Sequence, residues 1–594
     1  MCVKLVVLAL LRGYKRTIMG KASIERPWMK YYQEFDGDLS TTKQSLYRYL
    51  RMTSKGYEDF TAINYFGKKY SYYSLIGKID HLADCFTDMG VKKGDHVVFL
   101  TATLPETICS LYALNKIGAI PVFVEPRMSK ARIDYFIGMV KAKVVIMIDL
   151  VYPKVYDLLE KHNIEHVLVQ NAAFSLHRIQ RFFISIFSKK TKIKYSNVIQ
   201  KFKDFVKRDV PHCAIEAPFE ENATAIVTQT GGTTGNPKGV ELTNEGLNTV
   251  ALSFNYTHND CVPGDIFLNI MPIFTAYGIV CGSHMALTQR TINVLIPNFK
   301  PKKFPKLMMK YKPAAVIAVP VFYELFIKDS HMKRIDLSGL KFAVSGGDVL
   351  NPKLEDSINK FFKEHGCKYH ICQGYGLSET TAVTAFNCIY RKNSEGLPLC
   401  TSTMGIFDPD TSEELDYYEK GEICITGPSI MKHYFDNEEE TNSVMRLHSD
   451  GKVWIHSGDL GYFDKDGFLF FEGRFKFVIP RFDGHKNFPI QLERVVSKVK
   501  GVVNCAVVPC RDRDHMQGQY PLVVAELEDK EADLKKMRLA ILKHCKKKIG
   551  GREQPCDVVF EDKIPLTLVG KNDVTLLREK YLNYNYKKHC FDEE

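Results

Sequence analysis

Short apolar runs alternate with helical patterns along most of the first four hundred residues. Val97-Val98-Phe99-Leu100 precedes a helix-like stretch from Pro105 to Ile117. Ala119 to Val124 then reads as a strand, Ser129 to Val140 as a helix and Lys143 to Ile148 as a strand. The pattern returns at Ala315 to Val319, followed by the helix-like Val321 to Lys328, and at Lys341 to Val344. Uninterrupted apolar strands separated by helices are the mark of parallel βαβ units buried on both faces.

After about residue 395 the texture changes. Gly405 to Thr426 reads as short strands broken by Asp-Pro-Asp and Lys-Gly turns, and Asp464-Lys465-Asp466-Gly467 as a turn between two β-rich runs. From Phe477 the pattern predicts a small α+β unit: helix over Leu492–Val499, strands over Val502–Pro509 and Tyr520–Leu527, and a second helix over Ala532–Lys547. The fold class expected is α/β. A large N-terminal domain of βαβ subdomains with a small β-rich subdomain is followed by a small α+β C-terminal domain.

At 594 residues and 45% hydrophobic content the chain can build several cores. Lysine and arginine number 81 against 69 acids, a formal charge of +12 that suits anionic small molecules or a membrane surface. No zinc-finger spacing or RNA-binding aromatic motif supports a nucleic-acid partner. The 16 cysteines are scattered without a C-x-x-C pair, as expected of buried thiols in a reducing, cytoplasmic setting. The apolar run Leu5–Leu11 is too short to span a bilayer, and Met19 is an alternative start. Residues 177–193, HRIQRFFISIFSKKTKI, combine bulky apolar and basic side chains, a pattern consistent with a packed surface helix or with peripheral membrane contact.

The densest chemical signal is Thr228-Gln229-Thr230-Gly231-Gly232-Thr233-Thr234-Gly235-Asn236-Pro237-Lys238-Gly239. Glycines let backbone N–H groups approach an anion, threonine hydroxyls add donors, and lysine adds a charge. Asn236-Pro237 separates Gly235 from Lys238, so this is not a Walker A loop. Further runs follow in order: Ser345-Gly346-Gly347-Asp348, Gln373-Gly374-Tyr375-Gly376-Leu377-Ser378-Glu379-Thr380, His456-Ser457-Gly458-Asp459, Gly473-Arg474-Phe475-Lys476 and Pro565 to Lys571.

This ordered set resembles the adenylate-forming (AMP-binding) superfamily, most of all its acyl-CoA synthetases and fatty acid–CoA ligases. The resemblance implies that a carboxylate attacks the α-phosphate of ATP with Mg²⁺, and that a thiol, usually of coenzyme A, then displaces AMP. It implies an N-terminal extension over 1–39, a large domain over 40–475 and a small mobile C-terminal domain over 476–594 with Lys476 at the hinge, and it places Lys571, Glu379 and Thr234 in catalysis, with Glu379 as the Mg²⁺ ligand. It assigns nucleotide binding to Thr230, Gly231, Gly232, Thr233, Gly235, Lys238, Gly346, Gly347, Tyr375, Gly376, Ser378, Asp459 and Arg474. Tyr375 would stack on the base, Asp459 would accept from the ribose, and Lys571 would reach the carboxylate and α-phosphate.

The sequence departs from the family in two places. Thr275 stands where an acyl-pocket gate is often histidine or aromatic. Phe477, Pro480 and Arg481 alter the run after the hinge, so the acceptor is coenzyme A or, as the alternative, a carrier protein. A non-catalytic nucleotide-binding scaffold is opposed by the joint presence of Glu379, Asp459, Arg474 and Lys571. Ala315, Val319, Val321 and Ala343 favour an apolar acid, and Asp348 is the one nearby carboxylate that an amino-acid substrate could use.

Overall fold

The computed structural model describes residues 20–177, 191–230, 238–257, 260–483, 485–515, 518–567 and 571–591. The run at 5–11, most of the basic segment 177–193, and Gly231, Gly232, Thr233, Thr234 and Gly235 of the phosphate loop lie outside those residues. Three sheets and a smaller C-terminal one organise the chain. The first has seven strands in the order Ile199–Lys201, His166–Gln170, Val144–Ile148, His96–Leu100, Ile120–Phe123, Thr224–Gln229 and Gly239–Thr243. Its pairings are parallel except for the terminal hairpin, in which Gln229 lies opposite Gly239.

The second sheet has nine strands. Its parallel centre runs Cys372–Tyr375, Phe342–Gly346, Ala315–Ala318, Ile266–Asn269, Ile292–Leu295 and Thr61–Tyr65. These strands are buried on both faces, which is why they read as runs rather than alternations. The helix Pro105–Lys116 is buried along nearly its whole length, from Pro105 to Asn115. Helix Lys130–Met139 starts where the Ser129 hydroxyl accepts from the Arg132 N–H, a cap that stabilises a helix by about 1 kcal/mol.

The third sheet is antiparallel, built from Thr403–Phe407, Gly421–Thr426, Val453–Phe463, Met445–Leu447 and Leu469–Arg474. Trp28 is fully buried against it and stacks on Phe463 at 5.7 Å. The C-terminal sheet joins Val502–Arg511, Gln519–Leu527 and Asp557–Phe560, with helices Pro489–Val496 and Leu534–Lys548 over one core. The architecture is thus the α/β arrangement with a small C-terminal unit that the sequence pattern predicts. Among the described residues no helix is long and apolar enough to cross a membrane. The cysteines among the described residues are all free thiols, and most are buried.

Candidate active site

Two parallel neighbours, Phe342–Gly346 and Cys372–Tyr375, place Gly346 beside Gly374 and then leave the sheet together. The crevice beyond the carboxyl ends of parallel strands is where α/β sheets bind ligands. Glycine is required there on steric grounds. A Cβ on Gly346 would stand 2.8 Å from the Tyr277 Oη, and one on Gly376 would stand 2.2 Å from the Ala382 carbonyl oxygen. Ser378 and Glu379 occupy a single 3-10 turn, Ser378–Thr380. The Ser378 hydroxyl donates to the Gln229 carbonyl at 3.2 Å, so this motif meets the strand that enters the phosphate loop.

The two described ends of that loop are tied together. The Thr230 N–H donates to the Lys238 carbonyl at 3.1 Å, and the Lys238 N–H donates to Thr230 Oγ1 at 3.3 Å. The Lys238 ammonium lies 4.5 Å from the Tyr434 ring centroid and 2.5 Å from Glu440 Oε2. Glu440 therefore competes with any phosphate for Lys238. Tyr434 in turn donates its hydroxyl to Glu379 Oε1 at 2.7 Å, leaving Oε2 as a hard oxygen donor suited to Mg²⁺. Tyr434 and Glu440 belong to no motif, and no periodicity marks them.

Asp459 and Arg474 face each other across a hairpin of the antiparallel sheet. Asp459 is 1% exposed; its Oδ1 lies 2.9 Å from Arg474 Nε and its Oδ2 accepts from the Tyr375 hydroxyl at 2.9 Å. Burial pushes the Asp459 carboxyl above its ordinary range, and the Arg474 guanidinium opposes that rise. The turn carrying Asp459 is itself held. Glu422 accepts from the Gly458 N–H at 2.9 Å and pairs with His456 Nδ1 at 2.7 Å. The Tyr375 ring tilts against Phe471, with centroids 6.1 Å apart.

Lys571 comes from the C-terminal unit. Its backbone closes a turn with Thr567, accepting from the Thr567 N–H at 2.7 Å and donating to Thr567 Oγ1 at 3.1 Å. Burial lowers the ammonium's pKa, with Asp348 and then Asp459 pulling it back up and Arg474 lowering it further. Asp348 is raised by burial and is lowered in part by Lys571. Glu493, also from the C-terminal unit, is pushed up to about 7 by burial. The structure thus gathers Asp348, Asp459, Arg474 and Lys571 although they span more than two hundred residues. Lys476 lies in the turn Phe475–Phe477 between the antiparallel sheet and the C-terminal sheet.

A cleft of about 2230 Å³ runs from these charged groups into an apolar chamber. Phe274, Tyr277, Ile317, Val319, Val321 and Phe322 line the chamber. The expectation that Ala315 and Ala343 face it is corrected. Both are buried and neither borders the cleft: Ala343 lies on the face opposite the cleft-lining Val344, and Ala315 opens its strand, two residues further from the carboxyl end than the cleft-lining Ile317. Thr275 caps the short helix Ala276–Ile279, donating to the Pro272 carbonyl at 2.9 Å and accepting from the Gly278 N–H at 3.0 Å. Its hydroxyl is engaged in that turn. After the hinge, Phe477 lines the cleft under the Arg578 guanidinium, 5.6 Å from the ring centroid. Arg481 lies over Tyr520 at 4.7 Å and pairs with Asp483 at 3.4 Å.

The model of the AMP-binding enzyme family matches residues 50–435, and that of the AMP-binding enzyme C-terminal domain matches residues 491–571. A long-chain-fatty-acid–CoA ligase of Bacillus subtilis (strain 168) is 26% identical over 574 residues, covering 95% of this chain and 99% of that one. A probable 4-coumarate–CoA ligase of Dictyostelium discoideum is 28% identical over 540 residues, covering 88% and 91%. Among solved structures, ATP-bound MatB from Rhodopseudomonas palustris superposes with a TM-score of 0.78 at 22% identity, covering 90% of this chain and 98% of that one. These matches run across the cleft on both sides, and the chain belongs to the AMP-binding enzyme family, carrying that family's C-terminal domain after its main one.

Proposed function

We propose that the chain is an ATP-dependent acid–thiol ligase that adenylates a lipophilic carboxylic acid and passes the acyl group to coenzyme A. The observation that carries this reading is a single cleft with Lys571, Asp459, Arg474 and Glu379 at one end and an apolar chamber at the other. The Bacillus relative bears the name of a long-chain-fatty-acid–CoA ligase, which agrees with the apolar lining.

In the first step the substrate carboxylate attacks the α-phosphorus, a C–O–P linkage forms, and the bond to the β-phosphate breaks to release pyrophosphate. Thr230, Thr233, Thr234 and Lys238 hold the leaving pyrophosphate. Gly346, Gly347, Tyr375 and Gly376 flank the base, and Ser378 contacts the α-phosphate. Asp459 and Arg474 hold the ribose, for which Tyr375 and Arg474 must share the Asp459 oxygens. Lys571 stabilises the negative charge that grows on the α-phosphate. Glu379 would hold Mg²⁺, which when bound would neutralise phosphate charge. In the second step the thiol forms the C–S bond and AMP leaves with the carboxylate oxygen. Between the two steps the 476–594 domain turns about Lys476 against the 40–475 domain, taking Lys571 out of the cleft before the thiol reacts.

ATP–pyrophosphate exchange across acids of graded chain length tests this reading, with acyl-CoA formation followed by mass spectrometry, with and without an added carrier protein. Exchange with no fatty or other lipophilic acid would refute it.

A further inference from the structure

Behind the turn that carries Asp459 lies a second group of polar side chains. Where strand Gly421–Thr426 pairs with Val453–Phe463, Cys424 stands opposite His456 and Glu422 opposite Leu460. Two steps on one strand thus oppose four on the other, and Ser457 to Asp459 bulge out between them. Residues two apart on a strand share a face, so Glu422 and Cys424 both meet the His456 ring. All three residues are buried.

One ligating atom from each converges. Glu422 Oε2 lies 2.7 Å from His456 Nδ1, Cys424 Sγ lies 3.6 Å from the same nitrogen, and the three atoms all fall within 4.8 Å of one another. No other group of three such side chains among the described residues is close enough to hold a metal ion. A tetrahedral zinc site with bonds of about 2.0–2.3 Å sets its ligand atoms about 3.2–3.7 Å apart. The sulfur already stands at that spacing from the nitrogen, and the carboxylate oxygen needs to draw back by about half an ångström.

The surroundings suit such an ion. A metal-bound imidazole donates its other N–H to a neighbour that fixes the ring. His456 Nε2 lies 2.9 Å from His448 Nε2, and the His448 ring is wedged in turn, stacked on Trp454 at 5.6 Å and edge-on to Phe407 at 4.7 Å. Glu422 has an oxygen to spare, because Oε1 accepts from the Gly458 N–H at 2.9 Å while Oε2 faces His456. Thiolate, imidazole and carboxylate together favour Zn²⁺ over Mg²⁺, which takes oxygen ligands. The thiolate and the carboxylate also neutralise the dication, as a buried site requires. Burial and then Glu422 hold the Cys424 thiol well above its ordinary pKa, so the thiol proton leaves as the ion enters. A carboxylate–imidazole pair alone would hold the turn without a thiol beside it.

We propose that Glu422, Cys424 and His456 bind a zinc ion, with a water completing the tetrahedron, and that the ion fixes the Asp459 turn from behind. The test uses the full chain, stripped with a chelator and kept in excess Mg²⁺ so that oxygen sites are filled. Co²⁺ is the probe, because a thiolate ligand gives it a charge-transfer absorption that oxygen and nitrogen ligands do not. One equivalent should produce that band, one equivalent of Zn²⁺ should abolish it, and Zn²⁺ should raise the thermal unfolding temperature. Cys424→Ser keeps the Glu422–His456 pair and should lose both the band and the rise. His448→Gln should keep the band and weaken Zn²⁺ binding by about tenfold or more. Absence of the band in the unaltered chain would overturn the proposal, as would a band of full strength in Cys424→Ser, which would place the ion on another cysteine. Titration with AMP reads the turn: its affinity should rise with zinc bound in the unaltered chain and stay constant in Cys424→Ser, and equal affinity with and without zinc in the unaltered chain would overturn the fixing of the turn. The cobalt band needs no turnover, so it stands or falls apart from the ligase reading.

Discussion

Replacing Lys571 by alanine removes one cation from the cleft and leaves its fold intact, because the turn is closed by the Thr567 and Lys571 backbones and the Thr567 hydroxyl. The ammonium shares the site with Asp348, Asp459 and Arg474, and its burial is deep enough to lower its pKa. A preorganised charged donor in such a water-poor site lowers a barrier by about 3–4 kcal/mol, or roughly 100- to 1000-fold in rate. Only adenylation should carry that loss. ATP–pyrophosphate exchange measures it, and conversion of a pre-formed acyl-adenylate to thioester supplies the control. The lowered pKa adds a signature. Adenylation by the unaltered chain should decline on the alkaline side below the usual lysine pKa of 10.5, as the ammonium loses its proton, and the variant should lack that limb. Exchange by Lys571→Ala within a few fold of the unaltered chain, or an equal loss in both half-reactions, would refute the assignment.

Chelating divalent cations should abolish exchange, and Glu379→Gln, which still accepts from the Tyr434 hydroxyl, should raise the Mg²⁺ concentration needed for half-maximal exchange by on the order of tenfold. Val319→Trp fills the chamber wall and should cut exchange with long-chain acids by about tenfold or more while sparing short ones; unchanged chain-length preference would remove Val319 from the acyl path. The Glu493 carboxyl, at about 7 when folded against an ordinary 4.5, makes the folded chain bind more protons between those values, so stability falls as pH rises through that window. Glu493→Gln keeps the acceptor for the Val507 N–H and should gain about 3 kcal/mol at pH 8 and nothing at pH 4, read by thermal unfolding at both.

The βαβ alternation was legible because doubly buried strands demand apolar residues at every position, as in Val144–Ile148. Strand order was not. Thr61–Tyr65 pairs with Ile292–Leu295 far along the chain, and nothing local encodes that neighbour. Motif residues stood out because phosphate and base contacts need glycines, hydroxyls and charges at fixed spacing in one loop. Their supports did not. Tyr434 beneath Glu379, Glu440 on Lys238 and Glu422 behind the Asp459 turn each act across a long sequence separation with a common side chain. The acyl lining was half legible: Val319 and Val321 border the cleft, while Ala343 faces away from it and Ala315 lies too near the start of its strand to reach it.

The sequence by itself determined the local backbone: which segments form strands, which turns must be glycine, and which motif residues serve one chemistry. Those are short-range matters of steric freedom and periodicity. Only the tertiary structure decided that Lys571 meets Asp348 and Asp459 and that Tyr434 donates to Glu379. Such meetings depend on how buried faces of distant elements pack against one another, and packing is a property of the whole chain.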